Sequence, residues 1–156
     1  MSSAETLAET FAINNRINLY LLNAIEAAHL ADVYPGTRAR SVGKQFAHLH
    51  DVRMMWLKAA SPLLSAGLEK LSEADALNKQ KLEAALAASA KAIEKLFEES
   101  GESGRIKGFK PNATGFLGYL LAHEGHHRGQ IMVALKLNGH LVDKKIQYGL
   151  WEWGVR

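Results

Sequence analysis

Phe116, Leu120, His123, His127, Ile131 and Ala134 recur at intervals of three and four residues. Only an α-helix brings such positions onto one face, so this row predicts a helix whose inward stripe carries two imidazoles one turn apart. It should start near Pro111-Asn112, a cap region, and stop at Asn138-Gly139. A lone histidine on an apolar stripe is ordinarily satisfied by a single hydrogen bond. Two on the same stripe need two buried partners, or they share one metal ion.

The rest of the chain has the same period. Leu7, Phe11, Leu21, Leu22 and Ile25 mark a first helix from about Ala4 to about Leu30, ended by Tyr34-Pro35-Gly36. Asn14 and Asn18 interrupt its stripe, either facing solvent at its edge or tying helices together, or else lining a polar cavity. Val42, Phe46, Leu49, Trp56 and Leu57 mark a second helix from about Ser41 to about Ala60, closed by Ser61-Pro62. On it, Asp51 and Arg53 read most simply as solvated or paired surface charges. A third helix begins between Ser72 and Lys79, with Ser72 or Asn78 as cap, and runs to about Ser100 on Leu82, Leu86, Ser89, Ile93, Leu96 and Phe97. No stretch alternates as a strand would. Four long helices in 156 residues predict an all-α four-helix bundle, one domain spanning residues 1–156.

Two features are left over. Gly118, Ala122, Gly125 and Gly129 form a row of small residues on the side of the fourth helix away from the histidines. Each interior glycine costs about 1 kcal/mol against alanine, and such a row lets another helix or a second subunit approach closely. The tail, His140–Arg156, shows no clear helical pattern. Its Tyr148, Leu150, Trp151 and Trp153 are expected to pack down as a core plug or a lid.

Composition narrows the chemistry. The chain has no cysteine, which excludes disulfides, thiolate–metal sites and cysteine nucleophiles. Its 19 basic and 16 acidic residues are interspersed, so no basic face for nucleic acid is expected. The start, MSSAETLAET, has no secretory pattern, and no apolar run is long enough for a bilayer; a cytoplasmic protein is expected. Gly101–Lys110 is glycine-rich but lacks the order of a phosphate loop.

His123-Glu124-Gly125-His126-His127 also spells the HExxH of zinc peptidases, in which the glutamate is the general base. The extended form fails, because Gln130 and Val133 stand where it requires Gly and His. No strand-rich segment is present to hold a peptide. The alternative takes a third ligand from the second helix, where His48 and His50 are two apart and point in nearly opposite directions. Spacing alone does not choose between them. Three neutral histidines leave a divalent ion with open positions for substrate or water.

The segments FAINNRIN, QFAHLHDVRMMWL, HEGHHRGQI and YGLWEWG resemble the DinB-like (DinB/YfiT-like) family over nearly the whole chain, most specifically in the upstream AH and the HxxxHRGQ elements. The resemblance implies a bundle in up-down-down-up order, often a homodimer. It implies a metal site of His48, His123 and His127, with zinc or nickel as the ion, and with His50 and His126 as neighbouring non-ligands. It also implies a metal-dependent enzyme acting on a small molecule, and among such enzymes a transferase using a low-molecular-weight thiol. Asn14, Asn18, Arg53 and the tail aromatics are the candidates to bound the pocket. A metal-dependent hydrolase with Glu124 as base, or a metal- or ligand-binding protein without turnover, are the other readings of the same residues.

Overall fold

The structure is a computed structural model describing residues 1–156. Four long helices make it up: α1 (Ser3–Ala24), α2 (Val42–Ala60), α3 (Lys79–Ser100) and α4 (Ala113–Leu137), with a short α5 (Lys144–Gly149) and single 3-10 turns between them. Each long helix opens on a side chain that accepts from a free backbone N–H: Ser2, Ser41, Asn78 and Asn112. At Ser2 the cap is reciprocal, with Glu5 reaching back to the Ser2 N–H at 2.6 Å.

Two expectations change. The first helix stops at Ala24, and Ala27–Ala31 is a separate 3-10 turn. The apolar row continues to Leu30, but the chain has already left the helix at Ile25, whose backbone is extended. The tail contains α5, capped by Asp143. It also packs less than expected: Tyr148 and Trp151 are exposed, while Gly149 lies buried against the Tyr20 side chain. The tail is held by Val142, Ile146 and Leu150, which pack on the core as Leu150 was expected to, and by Arg156, whose guanidinium sits 3.7 Å over the Tyr20 ring.

Cross-helix contacts fix the direction of every helix. Phe11 meets Phe97 while Lys79 bonds the carbonyl of Asn23, so α1 and α3 are antiparallel. Arg53 bonds the Leu86 carbonyl while Ser61 reaches Glu99, so α2 and α3 are parallel. Gln45 bonds Gln130 while Trp56 packs on Phe116, so α2 and α4 are antiparallel. The order is therefore up-down-down-up, and both α1 and α2 pack on α3 and α4. No helix is long and apolar enough to cross a membrane.

The interior is divided in two. One apolar cluster, around Leu21, Leu22, Phe46, Leu49, Leu82, Leu86 and Ile131, fills one end. The other, around Phe11, Leu57, Ile93, Phe97, Phe116 and Leu120, fills the other end. Between them each of the four long helices contributes a buried polar residue: Asn14 and Asn18 from α1, Arg53 from α2, Ser89 from α3, and Glu124 from α4. Desolvated polar atoms persist in a core only when bonded to one another, so this belt fixes the helices in register.

Candidate metal centre

The ends of the belt explain what α4 shows on each side. Glu124 is fully buried and accepts four hydrogen bonds: from Arg53 Nε at 2.7 Å and Nη2 at 2.9 Å, from Asn14 at 2.6 Å and from Asn18 at 2.7 Å. Arg53 Nη1 donates to the Leu86 carbonyl and to Ser89 Oγ, at 3.0 and 3.2 Å. The oxygens of Asn14 and Asn18 accept from Arg128 at 2.8 and 2.6 Å. Burial alone would push the Glu124 carboxyl up, but the guanidinium of Arg53 and the amide of Asn18 hold it below the usual carboxylate value. Arg53 is thus no surface charge. Position 53 lies one helical turn from both Leu49 and Leu57 on the inward stripe, and the pair with Glu124 overrides its polarity. Asn14 and Asn18, both fully buried, tie α1 to α4. Glu124, turned into this network, is engaged on both oxygens and unavailable as a base.

One step along α4, the histidines face α2. Nitrogen atoms of His48, His123 and His127 lie within 4.8 Å of one another. The Nε2 atoms of His48 and His123 are 3.3 Å apart. That is long for a hydrogen bond, which favours about 2.9–3.0 Å. It matches the roughly 3.3–3.4 Å edge of a tetrahedron built from metal–nitrogen bonds of about 2.0–2.1 Å. His127 is buried, and the other two are half-buried, with His48 lining a hollow.

Their electrostatics suit a cation acceptor. All three are held below the ordinary histidine value. Burial is the largest cause for each, and the neighbouring imidazoles and the Arg40 guanidinium add to it. His127 is lowered to about 4. At neutral pH the three rings are uncharged, each with a lone pair to offer.

Gln45 sets the tautomer of His127. Its Oε1 accepts from His127 Nδ1, which leaves Nε2 as the free lone pair. The Gln45 amide then donates to Gln130 Oε1 at 3.0 Å, and Gln130 donates to His126 Nε2 at 2.9 Å. This chain of donors runs from the innermost histidine to the surface. Neither Gln45 nor Gln130 stands out in the sequence. Gln45 is polar on a buried stripe three residues before His48, which is the signal that could have found it.

The remaining histidines separate cleanly. His50 points away from the cluster, its Nε2 2.8 Å from the Glu69 carbonyl. His126 is exposed and lines a cavity beside the cluster. At the two ends of the row, Gly118 and Gly129 are exposed, and side-chain carbons added there would find nothing within 4 Å. The Trp-rich tail flanks this row, with Trp151 and Trp153 lining a hollow beside Gly125 and Gly129, and does not reach the histidines.

An up-down-down-up helical bundle with a three-histidine group that could hold a metal ion between α2 and α4 defines a class of candidate metalloproteins. The DinB family model matches residues 1–151, and the chain belongs to that family. No curated protein and no solved structure matches it.

Proposed function

We propose that the protein is a divalent-metal-dependent enzyme in which His48, His123 and His127 hold the ion, zinc or nickel, and that it transfers a low-molecular-weight thiol to an electrophilic small molecule. The observation that carries the metal reading is the convergence of three neutral imidazoles, two of them spaced as the edge of one coordination tetrahedron. A divalent ion there supplies Lewis acidity, which lowers the proton affinity of a thiol or water brought against it.

The residues of the chain favour the thiol over water. Hydrolysis gains from a nearby base to take the proton of the attacking water, and Glu124 is committed to Arg53, Asn14 and Asn18. A thiol is acidic enough to lose its proton to solvent without one. What remains for the protein is to keep the imidazoles neutral, to orient His127 through Gln45, and to leave half-buried His48 open to the hollow it lines. Transfer then forms a carbon–sulfur bond as the leaving group departs with its electron pair.

The test is conjugation of a panel of low-molecular-weight thiols with model electrophiles. The reading expects turnover that needs the metal and is lost in His48→Ala. Absence of metal-dependent conjugation with every thiol contradicts it. We also propose a homodimer, with the exposed Gly118–Gly129 row as its contact; sedimentation as a monomer would contradict that.

A further inference from the structure

Arg40 stands at the mouth of the histidine cluster without a partner. Arg40 is exposed and makes no ion pair, and it shares a hollow with His48. It forms part of the wall of two hollows. One carries His48. The other, of about 630 Å³, carries Gln45, the partner of His127, together with His126 and Gln130. That volume is within the usual range of small-molecule sites, roughly 300–1,000 Å³.

The larger hollow is unbalanced in charge. Tyr34, Ala39, Val133 and Ala134 give it apolar walls, Thr37, Gln45 and Gln130 give it polar groups, and no carboxylate lines it. Arg40 is its one permanent charge. The carboxylates near Arg40, Asp51 and Glu73, belong to the smaller hollow, and Glu73 is already bonded to Lys44. A guanidinium beside an apolar cavity accepts a planar monoanion in its two-pronged geometry. A phosphate dianion would call for a second cation, and the cavity has none.

We propose that Arg40 binds a carboxylate on the small molecule that reacts at the histidine centre, and that the cavity between Tyr34 and Val133 houses the body of that molecule. The substrate or thiol is therefore a carboxylic acid, with its acid group at Arg40 and its reactive end at the histidines. This assignment rests on the metal reading above, so the experiment reads the two separately.

Zinc content is measured first on the wild-type protein and on Arg40→Gln, both expected to hold the same amount. A wild-type protein without metal overturns the metal reading and this one with it. Binding of ω-mercapto acids of three to eight carbons is then compared by calorimetry with that of their primary amides. At the best chain length the acid should bind about tenfold tighter than its amide. Arg40→Gln should bring the ratio close to one, Arg40→Lys should keep part of it, and the exposed neighbour Arg38→Gln should leave it unchanged. Equal binding of acid and amide at every length, or a ratio that survives in Arg40→Gln, overturns the role of Arg40 while leaving the metal centre standing.

Discussion

Arg53 clasps Glu124 through two hydrogen bonds of 2.7 and 2.9 Å at the middle of the bundle, with both side chains shut off from water. The glutamate that spells a peptidase motif beside His123 is thereby a structural anchor, and the histidines on either side of it turn toward α2. Replacing one member leaves the other charged and buried. Glu124→Ala should therefore destabilise the protein by about 3–5 kcal/mol in urea unfolding. A loss below about 1 kcal/mol would contradict this role.

Gln45 acts on the centre only through His127. Gln45→Leu should weaken zinc binding about 10- to 100-fold, the usual effect of removing such a partner, while the far-ultraviolet circular dichroism stays that of the native helix content. Zinc affinity equal to wild type would show that the ring orientation is set by packing alone.

The depressed histidines predict an acid-sensitive metal-free protein. His127 binds its proton at about 4 when folded, against 6.5 as a free side chain. Between these values the unfolded chain holds more protons than the folded one, so stability falls as pH falls. His127 contributes the largest part of that loss, and His48 and His123 shift in the same direction. Thermal melts of metal-free protein from pH 7 to 4 read this slope. His127→Phe should flatten it, and an unchanged slope would contradict the assignment.

Gly43 tests the seating of α2. A side-chain carbon there would lie 1.8 Å from the Ala76 carbonyl oxygen, and that backbone cannot step aside as a flexible side chain can. Gly43→Ala should cost about 1–3 kcal/mol, although alanine is the better helix former. A neutral or stabilising effect in thermal unfolding would show that the turn at Ala76 moves freely.

Much of this was legible in the sequence, because helical period and turn chemistry are local. The four long helices and the inward face of His123 and His127 follow from spacing, the Pro111-Asn112 cap region from its residue types, and the structure chooses Asn78 over Ser72 as the cap of α3. Arg53 was misread for a physical reason. Its charge argues for the surface, and only a partner seventy-one residues away reverses the argument. Spacing could not choose His48 over His50 either, since that depends on which face of α2 meets α4. The resemblance to the family pointed to His48, and the structure places His48, His123 and His127 together. Gln45 and Arg40 carry no motif, and their significance comes from what folding puts beside them.

The most direct test is the metal content of protein purified without an affinity tag, measured beside His48→Ala, His50→Ala and His127→Ala. The account predicts about one divalent ion per chain in the wild type and in His50→Ala, and none in His48→Ala or His127→Ala. No metal in the wild type after reconstitution with zinc, nickel and manganese, or equal loss in His50→Ala, would contradict it.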